Sequence, residues 1–124
     1  LGRERDELNV VCDQLGSPTN ARDLAKAILV IIPQLNNLNV EVYHYSNSGV
    51  CSWYDFAVAI FEINKINCKV NPIATEAYPT PAKRPYYSVM DKSKIQKEFN
   101  VHVAYWRESL SFICNLNTGQ KNEL

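Results

Sequence analysis

Residues 10–19, VVCDQLGSPT, decide the fold class, because they run directly into residues 20–25, NARDLA. Apolar residues lead into a polar turn, and the turn leads into an amphipathic helical pattern. Proteins of the α/β class build ligand sites in this way, where a strand ends and a helix begins. The backbone N–H groups at the helix start favour an anion such as a phosphate. The spacing alone leaves two interpretations open, a ligand-binding loop or an ordinary strand-to-helix connection.

The rest of the chain continues the alternation of strands and helices. Residues 8–12 predict a buried strand, and residues 41–46 predict a second strand because they are rich in β-branched and aromatic side chains. Residues 70–74 predict an edge strand, since Pro72 cannot donate a ladder hydrogen bond. A loop is predicted at residues 36–39, and the polar residues from Asn117 onward predict a frayed end.

Polar residues before the apolar patterns predict where helices begin. Asn20 and Ser52 are candidate caps, with Asp23 and Asp55 three positions on as in a capping box, and Asp91 is the third candidate. A last helix is predicted from residue 106. The first helix is expected to bury the side chains of Leu24, Ala25, Ile28, Leu29 and Ile32. The second is expected to bury those of Trp53, Phe56, Ala57, Ile60 and Phe61 as core rather than as a cofactor stack.

This order predicts an α/β fold with few strands and about four helices. A free-standing parallel sheet needs more strands than these residues supply. We therefore expect residues 1–124 to form one region, the C-terminal part of a larger α/β protein.

Composition excludes several functional classes. Lys plus Arg and Asp plus Glu number 13 each, so no basic surplus favours a nucleic-acid partner. No apolar run reaches membrane-spanning length and the first residues do not resemble a signal peptide, which predicts a cytoplasmic protein. The four cysteines, Cys12, Cys51, Cys68 and Cys114, lack the spacing of a zinc or redox site and are expected to be reduced thiols.

Motifs for the common catalytic sites are absent from these residues. The four glycines are scattered, so there is no dinucleotide fingerprint, and no Tyr-x-x-x-Lys pair occurs. His44 and His102 have no neighbour at metal-ligand spacing, and we assign no metal site. Asp13 follows an apolar strand and is a candidate to face a ligand. Arg84 precedes a proline and is suited to grip a phosphate, although an ion pair with a carboxylate is equally open.

Four blocks in order resemble the dTDP-4-dehydrorhamnose reductases, a family of extended short-chain dehydrogenase/reductases. They are DQLGSPT at 13–19, YHYSN and SWYDFA within 43–57, YPTPAKRP at 78–85 and WRESL at 106–110. The resemblance implies a Rossmann-type whole protein that reduces dTDP-4-dehydro-L-rhamnose to dTDP-L-rhamnose with NAD(P)H. It also implies that the cofactor-binding part and the catalytic residues lie outside this sequence, so this region alone is expected to be inactive.

The resemblance further assigns candidate substrate contacts. Gln14, Ser17 and Thr19 match the family loop that borders the nucleotide-sugar pocket, and Arg84 matches an arginine expected on the diphosphate. Some family members use magnesium at a subunit contact, but no matching ligand set is identified here, and a homodimer is a further expectation. Two alternatives stay open: a non-catalytic sugar-nucleotide-binding or regulatory subunit of the same fold, and a structural interaction domain without a ligand.

Overall fold

A computed structural model describes residues 2–36 and 39–119, and it describes the side chains of these ranges as far as residue 116. Its elements in chain order are β1 (Glu7–Val11), β2 (Leu15–Gly16), α1 (Ala21–Ile31), β3 (Cys51–Ser52), α2 (Trp53–Ile63), β4 (Lys69–Ile73), α3 (Ser93–Phe99) and α4 (Trp106–Gly119). Single turns of 3₁₀ helix follow α1 at Ile32–Gln34 and β4 at Thr75–Ala77. Four helices with few strands confirm the predicted α/β class.

The strands of the described residues form two small sheets. Strands β1 and β4 pair in parallel, with Val10 opposite Pro72, and helix α2 packs against both. The positions of the predicted strands at 8–12 and 70–74 are therefore confirmed with a shift of one residue. The predicted burial of the first strand is wrong, because none of its residues is fully buried and Asn9 is exposed. Strands β2 and β3 pair antiparallel, with Leu15 opposite Ser52. This second pair joins the loop after β1 to the start of α2.

Local capping explains where the helices begin. The side chain of Asn20 accepts a hydrogen bond from the backbone N–H of Arg22, and Ser52 forms a full capping box with Asp55, so both predicted caps are confirmed. Asp91 accepts hydrogen bonds from both the backbone N–H and the hydroxyl of Ser93 at the start of α3. These bonds satisfy N–H groups that have no partner within their helices.

Asp23 does not complete the capping box predicted with Asn20. Its carboxylate instead accepts hydrogen bonds from the side chains of Asn47 and Ser109, and the backbone N–H of Asn20 donates to Oδ1 of Asn47. The prediction is wrong because partners distant in sequence satisfy both groups. The start of α1 is thereby fixed to α4 as well as to the turn before β3.

The strand predicted at residues 41–46 is wrong. Tyr43 and Tyr45 pack against a buried cluster, whereas the Val40 side chain is 97% exposed and Val42 is also exposed. The alternation of inner and outer side chains is that of a strand, but no strand in the described ranges pairs with this segment. A strand-like sequence without a neighbouring strand forms no sheet.

Among the described residues, the core consists of two buried clusters. The first contains Ala27, Ile95, Phe99, Val101 and Val103. The second lies between β3, α2 and α4 and contains Cys51, Ala59 and Trp106. Because both clusters are small, each buries only a few side chains of the helices around it.

The face of α1 that was predicted to be buried is mostly exposed. Ala25, Ile28 and Ile32 are exposed, and the Leu29 side chain is 70% exposed. Ala27 is the buried residue of α1 in the first cluster, and the partly buried Ile31 packs against that cluster. The prediction fails because the hydrophobic stripe of α1 is wider than the surface that the described residues place against it.

The predicted loop at 36–39 and the polar residues from Asn117 onward lie only partly within the described ranges. Residues 37 and 38 of the predicted loop lie outside the described residues, as do residues 120–124. Helix α4 extends to Gly119, past the residue at which fraying was predicted to begin, and the fraying itself stays a prediction. No helix within the described ranges has both the length and the apolar content needed to cross a bilayer.

Candidate functional site

Three segments enclose a cavity of about 330 Å³ beyond the carboxyl end of β1. They are the loop at 14–18, the segment at 51–56 that comprises β3 and the first turn of α2, and the segment at 84–88. This volume lies at the lower end of the range of roughly 300–1,000 Å³ that is usual for small-molecule sites. The cavity is therefore large enough for part of a nucleotide-sized ligand.

Leu15 holds the three segments together through its backbone. Its N–H donates to the carbonyl of Tyr86 at 2.8 Å, and its carbonyl accepts from the N–H of Ser88 at 2.9 Å. On its other side Leu15 pairs with Ser52. Because these are backbone bonds, the loop after β1 is fixed between the other two segments whatever its side chains bind.

One wall of the cavity is apolar and includes an exposed aromatic ring. Trp53 is 53% exposed, so the prediction that its side chain belongs to the core is wrong. It is the first residue of α2, where the helix opens onto the cavity rather than onto β1 and β4. Phe56 also lines the cavity, and its ring packs against that of buried Trp106.

Three of the four predicted substrate contacts line this cavity: Gln14, Ser17 and Arg84. Thr19 is exposed and lies outside the lining. The chain turns away at this point, since both the carbonyl of Pro18 and the N–H of Asn20 are hydrogen-bonded to Asn47. Thr19 is therefore not included in the candidate site.

Ser17 and Gln14 are among the polar lining side chains that already have partners in the fold. The hydroxyl of Ser17 donates to the carbonyl of Gly49 at 2.6 Å, which leaves only its lone pairs for a ligand. The Nε2 of Gln14 donates to Oγ1 of Thr75 at 3.0 Å. Both side chains are consequently held in one orientation before any ligand binds.

Arg84 is the charged residue of the cavity lining. No carboxylate within the described ranges lies at ion-pair distance from it, so the alternative of a structural ion pair finds no partner there. An exposed guanidinium beside a cavity favours an anionic ligand group such as a phosphate.

Asp13 does not face the cavity as was expected from its place after β1. Its carboxylate accepts hydrogen bonds from the backbone N–H of Thr75 at 3.0 Å and from the Thr75 hydroxyl at 2.7 Å. The backbone bond first, and then the hydroxyl, lower the pKa of Asp13 below its ordinary value. Asp13 is thus a charged anchor for the turn that leads towards Arg84.

Cys12, Cys51, Cys68 and Cys114 are thiols that form no disulfide, as predicted. Cys51 lines the cavity but is buried, and this burial, with the negative charge of Asp55, raises the pKa of its thiol to about 11. A thiol in this state is a poor nucleophile at neutral pH. Within the described ranges no three His, Cys, Asp or Glu side chains come together in a way that would hold a metal ion.

Sequence reasoning missed Trp53, Ser52 and Ser88 as lining residues. The available signal for Trp53 was its position directly after the cap Ser52, because the first residues of a helix face outward at its end. Ser88 had no such signal, since its backbone N–H and its hydroxyl reach the cavity by bonding to Leu15, which is distant in sequence.

A family model described as the RmlD substrate binding domain matches residues 1–117. The spore coat polysaccharide biosynthesis protein SpsK of Bacillus subtilis is 41% identical over 110 residues, which are 89% of this chain and 37% of that protein.

Solved structures of dTDP-4-dehydrorhamnose reductases also match this chain. A dTDP-4-dehydrorhamnose reductase from Clostridium acetobutylicum matches with a TM-score of 0.87 and 42% identity, over 94% of this chain and 41% of that one. A dTDP-4-dehydrorhamnose reductase from Bacillus anthracis, in complex with NADP, matches with a TM-score of 0.83 and 38% identity, over 90% and 39%. This chain thus spans about two fifths of the length of these relatives.

Proposed function

The chain belongs to the RmlD substrate binding domain family, and from that premise we propose that it is the sugar-nucleotide-binding part of a longer dTDP-4-dehydrorhamnose reductase. The main support for this proposal is that Gln14, Ser17 and Arg84 line the same cavity. A dTDP-sugar combines a flat base, a diphosphate and hydroxyl groups, and the lining offers a partner for each.

Arg84 is the proposed partner of the diphosphate. A guanidinium forms paired, charge-assisted hydrogen bonds with phosphate oxygens, which a lysine cannot do in the same fixed geometry. Pro85 follows Arg84 directly and restricts its backbone. The neighbouring Lys83 is exposed and lies outside the cavity lining, which makes it a matched cation for comparison.

The apolar wall is the proposed seat of the flat parts of the ligand. Trp53 presents an exposed ring, and Phe56 lies behind it against the core. Stacking of a nucleobase on an aromatic side chain contributes about 1–3 kcal/mol. The hydroxyls of Ser17, Ser52 and Ser88 also line the cavity. Each donates its proton within the fold, so its oxygen is left to accept a hydrogen bond from a ligand.

We propose that the remainder of the longer protein packs on the surfaces that this chain leaves uncovered. Within the described ranges the apolar stripe of α1 is largely exposed, and residues 41–46 have an exposed outer side chain at Val42 and no neighbouring strand. Exposed apolar surface of this kind is typical of an interface. Such packing would give residues 41–46 the neighbouring strand that their alternation favours.

The reaction proposed for the longer protein is reduction of a 4-keto sugar to the alcohol. NAD(P)H, held by the remainder of the protein, supplies the hydride when bound; the relative from Bacillus anthracis was solved with NADP. The residues of this chain bind and orient the nucleotide sugar. No magnesium site is proposed, and a homodimer and a cytoplasmic location stay predictions from the sequence.

The test is calorimetric titration of the full-length protein with dTDP-L-rhamnose. Arg84→Ala is expected to weaken binding by roughly tenfold to a hundredfold, which corresponds to the loss of a charge-assisted contact of about 1.5–3 kcal/mol. Lys83→Ala removes a neighbouring charge of the same sign and is expected to leave the affinity within about twofold.

Equal effects of the two substitutions, or no binding by the wild-type protein, would overturn this assignment. Turnover of NADPH with the keto sugar then separates the reductase from its alternative. A protein that binds dTDP-L-rhamnose but oxidises no NADPH would be the non-catalytic sugar-nucleotide-binding subunit.

A further inference from the structure

Asp13, Thr75 and Gln14 form a chain of hydrogen bonds that ends at the cavity. The carboxylate of Asp13 accepts from the hydroxyl of Thr75 at 2.7 Å and from its backbone N–H at 3.0 Å. The same Thr75 oxygen lies 3.0 Å from Nε2 of Gln14. Gln14 lines the cavity, whereas Asp13 and Thr75 do not.

The chemistry of the three groups fixes the direction of each bond. An ionised carboxylate only accepts, so the single hydroxyl proton of Thr75 is committed to Asp13. The Thr75 oxygen can then only accept from Gln14. If the Gln14 amide were turned round, its carbonyl oxygen would face an oxygen that has no proton to offer. The nitrogen of the amide is therefore the end bound to Thr75.

We propose that Asp13 and Thr75 are positioning residues that hold the Gln14 amide with its carbonyl oxygen available to the cavity, so that the site selects a hydrogen-bond donor on its ligand. This inference rests on the proposed function for the identity of that ligand. In the described part of the chain, Oε1 of Gln14 accepts no hydrogen bond from another residue. The N3–H of thymine and the hydroxyls of the sugars are donors of the required kind.

A partly buried polar pairing of this type discriminates through mismatch. A ligand that presents only an acceptor at this position would face the Gln14 carbonyl without a proton between them. Leaving such a group unpaired costs more than a made hydrogen bond contributes. Fixing the amide in advance also avoids the entropy of ordering it when the ligand binds.

A merely structural role for Thr75 makes a different prediction. Thr75 begins the turn at Thr75–Ala77, which leads towards Arg84, so its loss could disturb the cavity without involving Gln14. The two roles are separated by a double-mutant cycle. If Thr75 acts through Gln14, its substitution has no further effect on affinity once Gln14 is Ala.

The experiment uses the full-length protein and dTDP-L-rhamnose. Thr75→Val is expected to weaken binding about tenfold and Thr75→Ser less than twofold, since serine keeps the hydroxyl. In the Gln14→Ala background, Thr75→Val is expected to change the affinity less than about twofold. Equal weakening in both backgrounds would overturn the inference and leave Thr75 as a support of the loop.

A second measurement does not depend on any ligand. In protein labelled with ¹⁵N-glutamine, the side-chain amide protons of Gln14 are expected to give well-separated signals, one of them shifted by the Thr75 bond. Thr75→Val and the isosteric Asp13→Asn are expected to move these signals, while Thr75→Ser retains them. Signals insensitive to all three substitutions would contradict the proposed orientation. Absence of dTDP-L-rhamnose binding by wild type would instead contradict the proposed function, while these signals still decide the orientation.

Discussion

The Nδ2 of Asn47 lies 2.8 Å from Oδ2 of Asp23 and joins the turn before β3 to the first turn of α1. Asn47 is only 1% exposed. Its Oδ1 accepts from the N–H of Asn20, and its own N–H donates to the carbonyl of Pro18. One side chain and its backbone thus fix the end of the loop that lines the cavity.

Replacement of Asn47 by alanine is expected to lower the free energy of unfolding by about 2–4 kcal/mol. The substitution leaves the N–H of Asn20 without its partner and the Asp23 carboxylate with one hydrogen bond fewer. Urea denaturation of the full-length protein measures the loss. Asn67→Ala, at an exposed position, is expected to change the value by less than about 0.5 kcal/mol. A similar small change for both variants would show that the Asn47 contacts contribute little.

The pH dependence of stability follows from Asp23. Partial burial by itself raises the pKa of this carboxyl, but the hydrogen bonds from Ser109 and Asn47, with the charges of Lys26 and Arg22, outweigh it and lower the pKa below 3.8. The folded state therefore binds this proton less readily than the unfolded state. The resulting stabilisation is present above the unfolded pKa and is lost as the pH falls through the folded pKa.

Urea midpoints measured between pH 6 and pH 3 test this dependence. Asp23→Asn is expected to reduce both the stability at pH 6 and its decline towards pH 3. Asp6→Asn, at an exposed position, serves as the control and is expected to retain the wild-type decline. Part of the decline remains in Asp23→Asn because the pKa of Asp13 and that of Asp91 are also lowered. An unchanged decline in Asp23→Asn would refute the assignment.

Gly49 is expected to tolerate no side chain. Its φ is +86°, and an added Cβ would overlap the Tyr105 ring and lie 2.9 Å from Cδ1 of Trp106. Gly49→Ala is expected to cost about 1–3 kcal/mol of stability. Gly16→Ala is the comparison, because its Cβ would meet only the Ser88 hydroxyl, which can rotate away. The midpoint temperature of thermal unfolding should be much lower for Gly49→Ala than for Gly16→Ala. A lower midpoint for Gly16→Ala would contradict this explanation.

Trp53 is expected to report ligand binding by fluorescence. It is half-exposed at the cavity, whereas Trp106, the second tryptophan, is buried. Addition of dTDP-L-rhamnose should quench a signal that Trp53→Phe removes. Trp53→Ala is expected to weaken binding about tenfold with little loss of stability. Phe112→Ala, an exposed aromatic outside the cavity lining, should leave the affinity unchanged. Equal affinities for Trp53→Ala and wild type would exclude stacking.

Features fixed by residues close in sequence were predicted correctly. The caps at Asn20 and Ser52 depend on side chains that reach backbone groups two or three positions away. The positions of β1 and β4 also follow from local residue types, and β4 accommodates Pro72 because it has no further strand on its other side within the described ranges. The candidate contacts were assigned from the family resemblance, and three of them share one cavity through the backbone bonds of Leu15 to the distant residues Tyr86 and Ser88.

Features fixed by distant contacts were not predictable from spacing. Asp23 matched a capping box, but its partners Asn47 and Ser109 lie 24 and 86 positions away. Trp53 matched a core stripe, although the second cluster ends at Phe56 and leaves the first residue of α2 open. Hydrophobic periodicity indicates which side chains share a helix face but not what covers that face.

The most direct test of the account is a crystal structure of the full-length protein with dTDP-L-rhamnose. We expect the ligand to lie between the loop at 14–18 and the segment at 84–88, with a diphosphate oxygen about 2.7–3.2 Å from the Arg84 guanidinium. A ligand bound elsewhere, or a diphosphate out of reach of Arg84, would contradict the central claim.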